Sequence, residues 1–320
     1  MSNGVSISVL VPIYNVEKYL AQCLDSLHAH TLSVIEFIRI NDGSTDSSRD
    51  ILQDYLDNDD RFRVIDKPNS GYGASMNRGL DAARGEYIGI VESDDFVSPT
   101  AFEELFRATD GASIDIVKAQ YFEYDGVSER QVDPFPNFEK GSIFSPRKRP
   151  EILMCTPTIW AALYRRQMLT KAGVRFLETP GASFQDTSFV LTSWMAARSA
   201  VILDRAYLRY RINRDESSVK SDSKVYEVCG EFAAAEKFAS RGLLRKRAFM
   251  GHLLAQKFST YRWNYERISQ AYHAEFAQRW AAEFEEPFRM GRLRRACFLP
   301  GDWELLEELE ADPVLFAKVH

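Results

Sequence analysis

The first 110 residues alternate short apolar runs with segments of helical periodicity, and this alternation limits the possible folds more than any other feature. The predicted strands are 6–11, 35–40, 62–66 and 87–91, and the predicted helices are 16–29, 45–56, 74–84 and 100–109. Strands that alternate with helices join through right-handed crossovers into a mainly parallel sheet. Ligands of such sheets bind beyond the carboxyl ends of the strands. The motifs at those ends therefore decide the function.

The rest of the chain divides into a mixed segment and a helical one. Strands are predicted at 114–124 and 200–210, a helix at 184–197, and a loop rich in Pro, Gly and charge at 125–150. After residue 222 the pattern predicts four helices, namely 225–239, 243–266, 268–284 and 303–316. No heptad is sustained, so these helices predict a small subdomain and not a long coiled coil. The predicted boundary separates an α/β domain, 1–221, from a helical subdomain, 222–320.

Composition and charge exclude several classes of protein. The chain has 320 residues, of which 45% are hydrophobic and 27% charged, as in ordinary globular proteins. The net charge of −6 gives no broad basic surface for nucleic acid. The apolar run 5–13 is short and no basic segment precedes it, so we expect no signal peptide. Four scattered cysteines without a CxxC pair indicate reduced thiols and a cytoplasmic location.

The first candidate site follows the first predicted strand, where the sequence reads Pro12-Ile13-Tyr14-Asn15. An aromatic side chain here can stack on a flat base, and nearby backbone groups can hydrogen-bond the edge of that base. The alternative is a strand exit with Tyr14 packed in the core. This tetrapeptide alone favours the alternative.

The second candidate site is Asn41-Asp42-Gly43-Ser44-Thr45-Asp46, after the second strand. A carboxylate at Asp42 can accept a hydrogen bond from a base or from a ribose hydroxyl. Rossmann dehydrogenases also place an acid here, but they need G-x-G-x-x-G after the first strand, which this chain lacks. The alternative is an Asx-type turn and helix cap, to which we assign Asp46.

The third candidate site, Glu92-Ser93-Asp94-Asp95, follows the fourth strand. Three acids in four residues at the end of an apolar strand need a neutralising charge. A divalent cation that bridges two phosphates would provide it, since hard cations take oxygen ligands and share them with substrate phosphate. The alternative is an acidic cap on the helix after Pro99. The position and density of the acids favour the metal.

The fourth candidate site is Phe184-Gln185-Asp186-Thr187, at the start of a predicted helix. Asp186 is either an N-cap or a general base that removes a proton from an attacking hydroxyl. The sequence leaves both roles open.

Together these sites resemble the motifs of family 2 glycosyltransferases with the GT-A fold, in the same order. The resemblance covers roughly residues 5–220. It is carried by V-P-I-Y-N at 11–15, N-D-G-S-T-D at 41–46, N-S-G-Y-G-A-S-M-N-R-G at 69–79, E-S-D-D at 92–95, W-A-A-L-Y-R-R at 160–166 and Q-D-T at 185–187. The first element of the D-x-D motif is Glu92, and Gln185 stands where the family often has Glu.

The resemblance implies a role for each matching residue. The nucleotide-sugar donor, expected to be a UDP-sugar, would be held by Pro12, Ile13, Tyr14, Asp42, Gly71, Asn77, Glu92, Ser93, Arg211 and Arg214. Among these, Tyr14 would stack on uracil and Asp42 would bond the edge of the base. Asp94 would be the protein ligand of Mn²⁺ or Mg²⁺, and Asp186 would be the catalytic base. The segment 211–220 would close over the donor, with its arginines on the diphosphate.

The implied activity is direct displacement with inversion of the anomeric centre. The donor-binding half of the catalytic domain would be about 1–125 and the acceptor-side half about 126–221. The acceptor would be a hydroxyl of a glycan or of a lipid-linked oligosaccharide in cell-surface polysaccharide synthesis. Two other readings stay open: a nucleotide-sugar-binding module without turnover, and a nucleotidylyltransferase. The latter usually has a Gly-rich basic loop after the first strand, where this chain has Pro12-Ile13-Tyr14-Asn15.

The helical subdomain carries two basic segments, 241–247 and 289–295. Basic helix surfaces are more often solvated than bound to a partner. Peripheral contact with anionic lipid at the inner face of the plasma membrane is the minority hypothesis. A homodimer formed through these helices is a further expectation.

Overall fold

The computed structural model describes residues 4–55, 59–111, 113–213 and 224–320. These residues form two compact units. The first contains the described residues up to 146 together with 157–213, and the second contains 147–156 together with 224–320. The segment 147–156, which the sequence analysis places in the α/β domain, joins the second unit because its 3-10 helix, Pro150–Met154, contacts the long helix Leu243–Arg267.

Nine strands of the described chain form one sheet in the first unit. They are β1 (Ile7–Ile13), β2 (Ile35–Asn41), β3 (Phe62–Asp66), β4 (Tyr87–Ile90), β5 (Phe96–Val97), β6 (Ile116–Tyr124), β7 (Glu129–Val132), β8 (Ala162–Arg165) and β9 (Ala200–Arg211). The order across the sheet is β3-β2-β1-β4-β8-β6-β9-β5, and β7 pairs with β6. Strands β1 to β4 are parallel, whereas β5, β7 and β8 are antiparallel to their partners. The predicted α/β fold class is confirmed.

Helices flank this sheet close to the predicted positions. They are α1 (Glu17–His28), α2 (Ser48–Asp54), α3 (Tyr72–Ala82), α4 (Ala101–Arg107), α5 (Arg166–Ala172) and α6 (Gln185–Ala196). The prediction that α2 begins at residue 45 is wrong by three residues. The carboxylate of Asp46 accepts a hydrogen bond from the Ser48 amide (3.0 Å), which keeps the preceding residues in a turn.

The carboxyl ends of β1, β2 and β4 lie side by side at one edge of the sheet. The amide of Asp42 donates to the Ile13 carbonyl (2.9 Å), and the amide of Val91 donates to the Leu10 carbonyl (3.1 Å). The pairing of β1 with β4 ends at Leu10. Pro12 has no amide hydrogen to donate, and it lies beyond the part of β1 that pairs with β4. The three motifs that follow these strands therefore share one edge, as a parallel sheet requires.

The second unit is helical, as predicted. Its α-helices in the described residues are α7 (Glu227–Ser240), α8 (Leu243–Arg267), α9 (His273–Arg289), α10 (Asp302–Ala311) and α11 (Pro313–Val319). The single helix predicted for 303–316 is wrong, because Pro313 cannot donate an intrahelical bond. Asp312 instead caps a new helix by accepting from the amides of Val314 (3.0 Å) and Leu315 (2.9 Å).

The interior of the second unit combines aromatic packing with a buried ion cluster. The ring of Phe258 lies 4.7 Å from that of Trp280. Beside them the buried ammonium of Lys257 pairs with Glu236 (2.7 Å) and Glu283 (2.8 Å). A buried amine keeps its charge only with such partners. Among the helices of the described residues, none has both the length and the apolar character needed to cross a bilayer.

Candidate active site

The residues after β1 separate into buried and exposed side chains. Ile13 is 1% exposed and Pro12 is also buried, so both belong to the sheet and its core. Tyr14 is 50% exposed. The alternative reading, in which this tyrosine packs in the core, does not hold. Its ring is available to a flat ligand at the edge of the sheet, whereas Pro12 and Ile13 support the strand beneath it.

The loop after β1 is bonded to the loop after β2 through reciprocal side-chain contacts. Asn15 Oδ1 accepts from the Thr45 amide (2.8 Å), and Asp46 accepts from the Glu17 amide (3.0 Å). In return, Glu17 accepts from the Ser47 amide (2.8 Å). Each loop thus caps the helix that follows the other. We call these two segments, 14–17 and 44–48, the paired loops.

Asp42 organises the chain around it. It is buried, it forms an ion pair with Lys67, and it accepts from the amides of Ser70 (2.9 Å) and Gly71 (2.9 Å). Both carboxylate oxygens are therefore engaged in fixing the turn that leads into α3. These contacts are not those of a local Asx-type turn, because Ser70 and Gly71 lie 28 and 29 residues away. Within the motif that turn is made by Asn41, whose Oδ1 accepts from the Ser44 amide (3.1 Å). A bond from Asp42 to a nucleotide base stays a prediction.

The glycines at the start of α3 allow a second backbone to approach. Gly71 has φ of +92°, and a β-carbon there would lie 2.9 Å from the Thr179 carbonyl oxygen. At Gly73 a β-carbon would lie 1.8 Å from the carbonyl oxygen of Leu177, a distance that no side chain permits. The segment 177–181 thus passes directly over the N-terminus of α3.

The side chain of Asn77, on α3, also bonds this helix to the segment that begins at Phe176. Its amide nitrogen donates to the Phe176 carbonyl (3.0 Å) and to Glu178 Oε1 (2.8 Å), and its oxygen accepts from the Phe176 amide (3.0 Å). Both N–H donors of this buried side chain are thus bonded within the protein. These contacts favour a positioning role for Asn77 over direct contact with a diphosphate.

The acidic turn after β4, residues 92–95, is buried and held by several elements. Ser93, Asp94 and Asp95 are each less than a tenth exposed. Glu92 accepts from the hydroxyl of Tyr72 on α3 (2.6 Å). The Cys23 thiol of α1 lies against the turn, and its pKa is raised by burial and by the negative charges of the turn.

Arg211, the last residue of β9, also contacts the acidic turn. Its amide donates to the Asp95 carboxylate (2.9 Å), and its Nε donates to the Asp94 carbonyl oxygen (3.0 Å). Its guanidinium lies 4.7 Å from the centre of the Tyr19 ring. Arg211 therefore fixes the backbone of the turn, and its contact with a diphosphate stays a prediction. Arg214 and the predicted closing segment beyond 213 lie outside the described residues.

The carboxylates of the acidic turn are oxygen donors of the kind that hard cations take, and a metal ion held there stays a prediction. Within the described ranges, no group of three or more His, Cys, Asp or Glu side chains is arranged to hold a metal by itself. Mg²⁺ is often bound by one or two carboxylates together with substrate phosphates and waters, and needs no complete protein cage. A buried carboxylate such as Asp94 suits that arrangement, since its charge is poorly solvated.

Asp186 lies in the first turn of α6 and is not its N-cap. The N-cap is Phe184, and Gln185 bonds the Ser183 amide (2.6 Å) and the Thr179 hydroxyl (2.8 Å). The capping alternative for Asp186 is therefore wrong. Burial raises the pKa of Asp186 to about 6. Hydrogen bonds from nearby donors lower this pKa, but they offset only part of the effect of burial. A carboxyl group with that pKa is ionised at neutral pH and is basic enough to accept a proton.

Tyr72 was not singled out as a predicted site residue, but its hydroxyl bonds Glu92 of the acidic turn and its pKa responds to the charge of Asp186. Its pKa is raised well above the usual value, first by burial and then by Glu92. The negative charges of Asp186 and Asp94 raise it further. The pKa of this phenol is thus raised by the charges of both the candidate base and the candidate metal ligand. The signal was available in the motif N-S-G-Y-G, where the tyrosine begins a helix between two glycines.

Comparisons with solved structures bear on the fold. The solved structure of S. aureus TarS 1-349 in complex with UDP-GlcNAc is similar, with a TM-score of 0.79 and 20% identity, covering 98% of this chain and 89% of that one. The mannosyltransferase PcManGT from Pyrobaculum calidifontis, in complex with GDP-Man and Mn²⁺, has a TM-score of 0.54 and 13% identity, covering 98% and 86%. At these identities the likeness shows the GT-A fold.

Sequence comparison identifies the family. The uncharacterized glycosyltransferase EpsJ of Bacillus subtilis (strain 168) is 35% identical over 213 residues, which is 65% of this chain. The match spans 61% of the length of that relative. The model of Glycosyl transferase family 2 matches residues 8–173, slightly more than half of the chain and all the motifs up to the acidic turn. The chain therefore belongs to glycosyl transferase family 2.

Proposed function

We propose that this chain is an inverting, metal-dependent glycosyltransferase that moves a sugar from a UDP-sugar to a hydroxyl of a glycan or lipid-linked acceptor. The observation that carries the proposal is the position of Tyr72. Its hydroxyl bonds Glu92 (2.6 Å), and the charges of Asp186 and Asp94 help to raise its pKa, which supports a candidate base near a candidate diphosphate site. The exposed ring of Tyr14, at the same sheet edge, supports a nucleoside there. The solved structure of TarS contains UDP-GlcNAc, and that of PcManGT contains GDP-Man and Mn²⁺. These ligands support the proposal of a nucleotide-sugar donor and a divalent cation for this chain.

The reaction needs one base and no protein nucleophile. The carboxylate of Asp186 accepts the proton of the acceptor hydroxyl, whose oxygen bonds the anomeric carbon. The bond from that carbon to the diphosphate oxygen breaks, and UDP leaves with the electron pair. Attack opposite the leaving group inverts the centre, so an α-linked donor gives a β-linked product. Holding both substrates in line is itself a large part of such catalysis.

The other residues bind and position the reactants. Asp94 would hold a divalent cation, which supplies positive charge for the departing diphosphate when it is bound. Glu92, fixed by Tyr72, would face the ribose or the donor sugar. Asp42 and Asn77 would hold the turn and the helix that line the donor, through the contacts described above.

The proposed catalytic region is 1–221 apart from 147–156, which belongs to the second unit, and 222–320 is proposed as a helical subdomain. Transfer in the cytoplasm is supported by Cys23 and Cys229, which are buried as free thiols, as expected in a reducing compartment. Peripheral membrane contact would follow from a lipid-linked acceptor. Dimerisation through the helical subdomain is a separate proposal.

A donor screen followed by a release assay tests the function. UDP-, GDP- and dTDP-sugars would first be ranked by how far they raise the melting temperature, since a ligand stabilises the state that it binds. UDP release from the best donor would then be measured with Mn²⁺, with Mg²⁺ and with EDTA. We expect release that requires a divalent cation. Donor binding without release under any condition would instead identify a binding module.

The pH dependence of transfer should report the ionisation of Asp186. The base acts only as the carboxylate, so kcat/KM should be level above pH 6 and should fall about tenfold per pH unit below it. An unperturbed carboxyl would place that fall near pH 4. Rates would be measured between pH 4.5 and pH 8 at saturating metal, with donor affinity measured separately. A profile that stays level down to about pH 5 would contradict a raised pKa at the base.

A further inference from the structure

The first two turns of α8 expose a pair of leucines beside basic side chains. Leu243 is 81% exposed and Leu244 is 66% exposed. Residues three and four apart are neighbours on a helix surface, so Leu243 lies next to Lys246 and Arg247, which are both exposed. Exposed apolar side chains are ordinary when they are scattered singly, whereas adjacent ones inside a charged rim point to an interaction site.

The charge around these leucines is positive and is not balanced by acids. Residues 241–252 include four Arg or Lys and no Asp or Glu, although the whole chain has a net charge of −6. Among the described residues, no acid forms an ion pair with Arg241, Lys246 or Arg247. The excess of positive charge is therefore local to this end of the helix.

A second stretch of the same unit adds to this charge. Arg147 begins the segment 147–156, which packs against α8 through its 3-10 helix. Burial lowers the pKa of Arg245, and the positive charges of Arg147 and Arg241 lower it further. These arginines are thus close enough to repel one another in the folded protein. A surface with such repulsion gains most from binding an anion.

The other basic segment of the unit, 289–295, differs because acids neutralise part of it. Arg292 pairs with Glu286 (2.8 Å), and Arg295 pairs with Glu304. Exposed ion pairs of this kind remain solvated and contribute little to binding or stability. The end of α8 is therefore the better candidate for an interaction surface.

We propose that the end of α8 docks on the surface of an anionic lipid bilayer. The docking surface, which we call the α8 patch, comprises Arg147, Arg241, Leu243, Leu244, Lys246 and Arg247. Its basic side chains complement the charge of lipid phosphates, and its two leucines would enter the boundary between headgroups and acyl chains. A nucleic acid offers the same charge but no apolar layer, so the leucines favour a bilayer. Only the purpose of docking, which is access to a lipid-linked acceptor, rests on the proposed function.

Flotation of the full chain with lipid vesicles tests the docking without donor or catalysis. The vesicles contain either phosphatidylcholine alone, which is neutral overall, or phosphatidylcholine mixed with anionic phosphatidylglycerol. We expect binding to the mixed vesicles that weakens as salt is added, because salt screens the attraction between charges. Binding to neither kind of vesicle, or equal binding to both, would overturn the proposal.

The variant Lys246→Glu tests the basic part of the α8 patch. One basic residue near an anionic surface contributes roughly fivefold in affinity, so reversing its charge should weaken binding to the mixed vesicles by about twentyfold. Lys318→Glu, on α11, is the matched control, because it replaces another exposed lysine and changes the net charge equally. Equal losses in the two variants would mean that net charge alone decides the binding, and no patch would be needed.

The double variant Leu243→Ser/Leu244→Ser tests the apolar part. Both leucines are exposed, so the melting temperature should stay that of the wild type, whereas affinity for the mixed vesicles should fall roughly tenfold or more. Val314→Ser/Leu315→Ser removes another exposed apolar pair, of 46% and 56% exposure on α11, and should bind as the wild type does. If the serine pair in α8 kept full vesicle binding and Lys246→Glu lost it, the surface would be a site for soluble polyanions and bilayer docking would be wrong.

Vesicle binding and UDP release are independent measurements, so their failures can be told apart. A failed release assay with normal vesicle binding would leave a membrane-docking protein without the proposed transfer. Normal release without vesicle binding would leave a transferase and remove the docking surface.

Discussion

The variant Asp186→Asn is expected to lose about 10²–10⁴-fold in the rate of sugar transfer, the usual contribution of a general base. The amide cannot take the proton of the acceptor hydroxyl. Because Asp186 is proposed to touch the acceptor and not the nucleotide, the affinity for UDP should change by less than about twofold. Transfer would be followed by UDP release with donor and acceptor saturating, and UDP affinity by calorimetry.

The same variant should also be more stable than the wild type, which separates a lost base from a damaged fold. The pKa of Asp186 is raised to about 6, above that of an unfolded carboxyl, so folding disfavours the charged form. This penalty is absent below pH 4 and is fully present above pH 6. A neutral asparagine avoids it, and the free energy of unfolding at pH 7 should rise by roughly 1–2 kcal/mol.

Asp60→Asn is the matched control, because this exposed carboxylate precedes β3 and is not among the groups that shift the pKa of Asp186. It should leave both transfer and stability unchanged. Near-normal transfer by Asp186→Asn would remove this residue from the mechanism. A large loss of stability in that variant would mean that the carboxylate supports the fold, and the catalytic interpretation would then lose its evidence.

The variant Asp94→Asn is expected to abolish the effect of metal on donor binding. The amide keeps the shape of the side chain and removes the negative charge that a divalent cation requires. UDP affinity with Mn²⁺ present should drop to the value in EDTA, and kcat/KM should fall about 10²–10³-fold as stabilisation of the leaving group is lost. Calorimetric titration of UDP with Mn²⁺ and with EDTA measures the first effect directly.

Asp95→Asn provides a neighbouring control of the same size and charge. Asp95 accepts from the backbone amide of Arg211, so its role in the structure is to hold β9 against the acidic turn. Its replacement should preserve the dependence of UDP affinity on Mn²⁺. If Asp94→Asn kept that dependence and Asp95→Asn lost it, the metal ligand would have to be reassigned to Asp95.

Regular elements of the first unit were predictable because their signals are local. A buried parallel strand such as β1 reads as an apolar run interrupted only by Ser8. Helix α1 shows apolar residues at helical spacing, which the structure buries as Leu20, Cys23, Leu24 and Leu27. Strands β5, β7 and β8 have only two to four residues each, which is too short to show a period. Strands β5 and β8 are formed by pairing with distant strands, and β7 is formed by pairing back onto β6, the strand before it.

The roles of individual site residues were less predictable, because they depend on partners far away in the chain. Asn77 bonds Phe176, 99 residues away, and Asp42 bonds Gly71, 29 residues away. No local pattern shows such contacts. Asp186 is another residue whose role no local pattern in the sequence shows. The sequence left it between cap and base. The structure excludes the cap, because Phe184 is the N-cap of α6, and the role of base stays a prediction.

The paired loops bear on how easily a protein of this shape could change the nucleotide that it recognises. Because each loop supplies caps for the helix behind the other, a substitution in 14–17 disturbs 44–48 as well. The nucleoside end of the pocket should therefore be rigid before a donor binds. The paired loops should lose little conformational entropy on binding it. New base preferences would then require matched changes in both loops, whereas the sugar end could diverge by single replacements.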